Sequence, residues 1–129
     1  MTPNELSDRL WCFAARIGKV VDALPDTRLG RHVPTCRELV RSGTSAPPNY
    51  DEARVGESRA DFAHKINVAL KELVETGGWL KFIIRAQLLP ARRIEALVES
   101  RFGIGTRKIG FDSEGQAQVL RARCGLNDQ

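Results

Sequence analysis

This sequence predicts an all-α fold, an antiparallel up-down-up-down four-helix bundle followed by an irregular glycine-rich tail, and three observations predict it. Apolar residues recur at alternating intervals of four and three along long segments, the spacing of one helix face. Those segments open on capping signals and end near prolines. The 129 residues are 42% hydrophobic and 28% charged with only 6% aromatic, which suits one helical domain with a single core.

Thr2-Pro3-Asn4-Glu5 opens the first helix. Thr2 is the expected N-cap, Pro3 the first helical residue, and Glu5 the returning half of a capping box. Leu6, Leu10, Phe13, Ile17, Val20 and Leu24 then form one stripe, with Trp11, Ala14, Gly18 and Val21 beside it, up to Leu24-Pro25. Two stripes imply two neighbours.

A second helix is expected from near Arg28, facing inward through Leu29, Val33, Cys36, Val40 and Gly43, with Pro34 in its early turns. Pro47 and Pro48 each remove a backbone donor, so a kink or break between Gly43 and Asn49 is expected, with helix resuming to about Val55. Ser58 caps the third helix, and Asp61 sits near its positive end. Phe62, Ile66, Ala69, Leu73, Thr76, Leu80 and Ile83 make an unbroken heptad seam, flanked by Leu70, Val74, Gly77 and Ile84. Gly77-Gly78 reads as a place of close packing, and Leu89-Pro90 as the end or bend of this helix. A shorter fourth helix spans Ala91 to Phe102, with Ile94, Leu97, Val98 and Phe102 apolar. The expected division is therefore a bundle over 1–102 and a C-terminal tail over 103–129, extended, disordered or packed on a neighbour.

Several segments together carry a family pattern: Arg41-Ser42-Gly43-Thr44-Ser45, Asn49-x-x-Glu52-Ala53, Ser58-x-Ala60-Asp61-Phe62, and Ala69-Leu70-Lys71-Glu72-x-x-Glu75-Thr76-x-x-Trp79-Leu80. In this order they resemble the bacterial four-helix-bundle proteins encoded in intervening sequences of 23S ribosomal RNA genes, over about residues 5 to 90. More distantly they resemble the accessory variability proteins of diversity-generating retroelements. The resemblance implies a second helix that passes through Pro47-Pro48, a ring-like homopentamer, and a fourth helix longer than this glycine-punctuated C-terminus supplies.

The net charge is +4 and evenly spread: residues 1–90 hold 13 basic and 11 acidic side chains, and 91–129 hold 7 and 5. No concentrated basic arm exists, but five copies would carry about +20. Cys12, Cys36 and Cys124 are an odd set without Cys-x-x-Cys spacing, so reduced thiols in a cytoplasm are expected rather than a disulfide framework or zinc knuckle. The apolar run from Trp79 to Leu89 is broken by Lys81 and Arg85 and falls short of the ~20 residues of a membrane span.

Catalytic patterns are weak. Asp61-x-x-His64 is half of a metal motif with no second half, and His32 stands apart. Ser42, Thr44 and Ser45 lack a nucleophile elbow and an activating histidine; their hydroxyls are better suited to carbonyls freed by the prolines. Gly103 to Lys108 lacks phosphate-loop spacing. Glu72 and Glu75 share a helix face, and without a matching Glu-x-x-His pair they are expected to form salt bridges with arginines such as Arg41.

The chain therefore reads as a non-enzymatic cytoplasmic scaffold without cofactor or metal. Its expected partners are itself, as a homopentamer, and RNA, DNA or a reverse-transcriptase-like protein; the alternative is a protein-interaction module that binds no nucleic acid. Arg31, Arg37, Arg41 and Arg54, then Lys65 and Lys71, are the candidate phosphate contacts, since guanidinium suits phosphate oxygens. Ser42, Ser45, Asn49, Glu52, Phe62, Glu72, Glu75 and Trp79 are the candidates for holding bundle and ring.

Overall fold

Thr2 starts the first helix as its sequence requires. Its hydroxyl accepts from the Glu5 amide and its own amide donates to Glu5 Oε2 at 2.7 Å, completing the capping box. In this computed structural model, which describes residues 2–31 and 35–98, α1 runs Pro3–Ala23, α2 is a single turn over Arg28–Arg31, α3 spans Thr35–Arg54, α4 spans Arg59–Arg85 and α5 spans Ala91–Val98. The tail assigned to 103–129 lies outside the described residues, as do Phe102, Cys124, His32, Val33 and Pro34.

The four longer helices form the all-α bundle. Helix α3 packs on both α1 and α4, and α5 packs on α1. Side-chain bridges fix the directions. Asn4 and Ser7 at the start of α1 meet Arg54 and Asp51 at the end of α3, while Arg41 meets Glu72 and Glu75, and Glu52 meets Lys65. Residue numbers rise on one helix as they fall on its neighbour, so both pairs are antiparallel.

The first and third apolar stripes enter the core as their spacing requires. Leu6, Leu10, Phe13, Ile17, Val20 and Leu24 are buried with Ile66, Ala69, Leu70, Leu73, Leu80 and Ile83, joined by Leu89 and Ile94. Burying each large apolar side chain contributes about 1.5–3 kcal/mol. Phe62 and Trp79 are half-buried and pack against this core. Trp11 is 47% exposed, so the second stripe of α1 is only partly covered.

Helix α3 departs most from expectation. No break occurs at Pro47-Pro48; the helix is continuous, as the family resemblance implied. Its buried face is Thr35, Leu39, Ser42, Gly43, Ala46, Pro47, Tyr50 and Ala53, whereas Leu29 and Val40, expected inside, are exposed. The turn α2 is held by Thr27 Oγ1, which accepts from the Gly30 amide, and by Cys36 Sγ, which donates to the Gly30 carbonyl. The hydroxyls do bond back to carbonyls, but one turn earlier than expected: Ser42 to Leu39, Thr44 to Val40 and Ser45 to Arg41. Asn49 Nδ2 donates to the Ser45 carbonyl at 2.8 Å. These bonds brace the turns on either side of the missing proline donors.

Helix α4 also ends earlier than Leu89-Pro90. After Ala86, Gln87 takes φ 59°, the Gln87 amide donates to Ile84 and the Leu88 amide to Ile83. That is the Schellman arrangement, with glutamine where glycine is usual, and Leu88 covers the core beside Ile83. The glycine pair behaves unequally: Gly77 is buried, but Gly78 has open space around it. Close packing occurs instead at Gly43, whose Cβ position lies 2.8 Å from Ile17 Cγ2.

Candidate nucleic-acid interface

The seam between α3 and α4 gathers most of the residues singled out from sequence. Glu72 and Glu75 lie three apart on α4 and face Arg41, which lies three residues after Glu38 on α3. Arg41 Nε donates to Glu38 Oε2 at 2.9 Å, Nη1 to both oxygens of Glu72 at 2.9 and 3.1 Å, and Nη2 to Glu75. The Glu75 carboxylate is held below the usual carboxylate range chiefly by this bond, and Arg41 is pushed higher still, first by Glu75 and then by Glu38. Three carboxylates surround one guanidinium here. The expected salt bridges thus form within one chain, and the field around Arg41 favours cations over phosphate.

Below this cluster, Ser42 and Thr76 meet in the core, both fully buried. Thr76 Oγ1 lies 3.0 Å from Ser42 Oγ and 2.8 Å from the Glu72 carbonyl, so its one proton can serve either, and Ser42 in turn reaches the Leu39 carbonyl. Paired hydroxyls lock the register of α3 against α4 without leaving a buried polar atom bare. Trp79 stacks edge-on against Phe82, with centroids 5.8 Å apart.

The remaining candidate cations divide. Arg54 reaches Asn4 Oδ1 at 2.7 Å and the Pro3 carbonyl at 3.5 Å, and its guanidinium lies 5.9 Å from the Tyr50 ring centre. It clamps the start of α1. Lys65 donates to Glu52 at 2.8 Å, and that carboxylate raises its pKa. Arg37 and Lys71 are exposed and carry no side-chain bond among the described residues. The Arg31 side chain lies outside the described residues. The structure therefore brings Arg41, Glu72 and Glu75 together, and Lys65 with Glu52, but does not gather Arg37, Arg41, Arg54, Lys65 and Lys71 on one face.

Asp51 makes interhelical contacts that, like those of Arg54 with Asn4, Lys65 with Glu52 and Ser42 with Thr76, were not read from sequence. Asp51 accepts from Ser7 Oγ at 2.6 Å and from Trp11 Nε1 at 2.8 Å, which ties the half-exposed indole of α1 to α3. Among the described residues no group of three or more His, Cys, Asp or Glu side chains is placed to hold a metal, and no helix is long and apolar enough to cross a membrane. Cys12 and Cys36 are free thiols.

This chain is similar to a protein of the S23 ribosomal protein family. The match is a crystal structure of a protein of unknown function from Bacteroides thetaiotaomicron, 29% identical, with a TM-score of 0.72, covering 95% of this chain and 98% of that one. Neither a family model nor a curated protein matches the chain.

Proposed function

We propose that this chain is a member of the 23S ribosomal RNA intervening-sequence family and serves as a non-enzymatic, cytoplasmic, homopentameric scaffold that engages nucleic acid or a ribonucleoprotein. The observation that carries this reading is the use made of its polar side chains. The carboxylates that a bundle enzyme would aim into a cavity, Glu72 and Glu75, are tied to Arg41 at the helix seam, and Asp51 and Glu52 likewise bind neighbouring helices. These carboxylates join helices within the chain, while among the described residues Arg37, Lys71, Lys81 and Arg85 are exposed without a side-chain partner. The similar S23-family structure supports the bundle fold, and the family resemblance is what implies the pentamer.

The test is binding of the purified protein, of defined mass, to structured RNA and duplex DNA across a salt series. Phosphate contacts predict affinity that falls steeply as salt rises through counterion release. No binding at low salt would overturn the nucleic-acid reading, and a mass of one subunit would overturn the pentamer. A second reading, a protein-interaction module for a partner such as a reverse-transcriptase-like protein, is favoured by the exposed apolar side chains Trp11, Leu29, Val40, Val55 and Val74.

A further inference from the structure

The stretch between Glu75 and Glu95 contains Lys81, Arg85, Arg92 and Arg93 and no acidic residue. It covers the second half of α4, the connection over 86–90 and the first turn of α5. On α4, Asn67, Lys71, Val74, Gly78, Lys81 and Arg85 follow one another at intervals of four and three, so they form a single ridge. Glu72 and Glu75 are absent from that ridge because they face α3. Asn67, Leu70, Lys71 and Val74 line a shallow recess at its start. Lys71, Lys81, Arg85, Arg92 and Arg93 are all exposed, and none has a side-chain ion pair or hydrogen bond among the described residues.

We infer that the ridge of Lys71, Lys81 and Arg85 on α4, together with Arg92 and Arg93, which follow it in the chain across the connection over 86–90, docks the phosphodiester backbone of a nucleic acid. The inference rests on the nucleic-acid reading above and moves its contact surface from α3 to the exposed cations of α4 and of the first turn of α5. From Lys71 to Arg85 the strip is about 21 Å long at 1.5 Å per residue, long enough to follow several phosphates. On α4 its cations are spaced singly, with Val74 as the one exposed large apolar side chain among them. A protein interface of that length would need a desolvated apolar or aromatic centre. Arg85 suits the last turn of α4, but Arg92 and Arg93 do not serve the helix that bears them. Arg92 and Arg93 stand in the first turn of α5, where the helix dipole favours carboxylates, whereas α1 and α4 place Glu5 and Asp61 there.

The experiment compares the full chain with a variant carrying Lys81→Gln, Arg85→Gln, Arg92→Gln and Arg93→Gln, and with Arg37→Gln on α3, in RNA and duplex-DNA binding from 0.05 to 0.5 M salt. If all four cations contact phosphate, the slope of log affinity against log salt should fall by about 3 to 4, and affinity near 0.1 M salt by on the order of 10²- to 10³-fold. Arg37→Gln should bind like the parent. A conservative set with Lys81→Arg, Arg85→Lys, Arg92→Lys and Arg93→Lys should retain the salt slope, which a merely unfolded protein would not. If the parent binds and the glutamine variant binds equally well, the strip is overturned and the nucleic-acid reading stands; a changed oligomer mass in that variant would then assign the face to a second copy. If the parent binds no nucleic acid, both fail together. Capture by phosphatidylserine vesicles without RNA or DNA binding would likewise overturn the assignment.

Discussion

Replacing Gly43 by alanine should destabilise this protein even though alanine is the better helix former. An added Cβ would lie 2.8 Å from Cγ2, 3.0 Å from Cγ1 and 3.1 Å from Cβ of Ile17. Ile17 is fully buried, and a β-branched side chain on a helix keeps essentially one χ1 rotamer, so it cannot swing away. Relief must come from α1 moving off α3. Overpacking of this kind costs about 1–3 kcal/mol, and the gain in helix propensity offsets about 1 kcal/mol. A net loss of about 1 kcal/mol follows, or a Tm lower by about 4 °C. Thermal melts and urea midpoints at constant m would measure it. The mechanism is tested by repeating the substitution in an Ile17→Ala background, which itself costs about 2–5 kcal/mol. Without the Cγ atoms, Gly43→Ala should become neutral or stabilising. A Gly43→Ala protein that melts higher than the parent while Ile17 is present would refute the argument.

Other substitutions probe the remaining contacts. Ser42→Ala and Thr76→Val should each cost about 1 kcal/mol by chemical denaturation, and the double variant should cost less than their sum, because both single variants lose the same bond between the two hydroxyls. Arg41→Met should lose about 1 kcal/mol at neutral pH and low salt. Since Glu75 is held below its ordinary pKa, its contribution is fully present above the unfolded carboxylate range and disappears as pH falls through the lower folded value, so the gap between parent and variant should close in acid. An unchanged gap at pH 2 would show that charge was not the cause. Asp51→Ala removes the acceptor of Ser7 and Trp11 and should cost about 1–3 kcal/mol, with a changed Trp11 fluorescence as its signature. Gln87→Gly should raise stability by about 0.5–1 kcal/mol by relieving the left-handed backbone.

Local chemistry was the most legible part of the sequence. The caps at Thr2 and Ser58 each span four residues and need nothing from the rest of the chain. The core faces of α1 and α4 were legible because large apolar side chains mark them. On α3 the inward positions include Thr35, Ser42 and Ala46, small or hydroxylated residues that apolar periodicity passes over, while exposed Val40 attracts it; Gly43 was read correctly as inward. Leu39, Ala46, Tyr50 and Ala53 hold the correct spacing and were the available signal. The end of α4 was missed because its cap uses Gln87 rather than glycine. The pairing of Arg41 with Glu72 and Glu75 followed from charge on facing helices, but Asp51 with Ser7 and Trp11 depends on register, which pairs residues 40 and 44 positions apart. Reading cations helix by helix favoured α3, where Arg41 and Arg54 prove to be engaged, over the acid-free segment that spans a turn.

The placement of Glu72 and Glu75 toward α3 and of Lys81 and Arg85 on another side of α4 gives the helix a transverse electric moment. A small net charge attracts a distant polyanion only weakly, but a separated pair of opposite faces also turns the molecule as it approaches. Such a body arrives already oriented, so a larger share of its collisions is productive. That advantage acts on the rate of encounter, reaches only as far as the ionic atmosphere permits, and is about 10 Å at 0.1 M salt. Two proteins of equal net charge, one with its charges mixed and one with them sorted as here, would thus differ in how quickly they find a partner before they differ in how firmly they hold it.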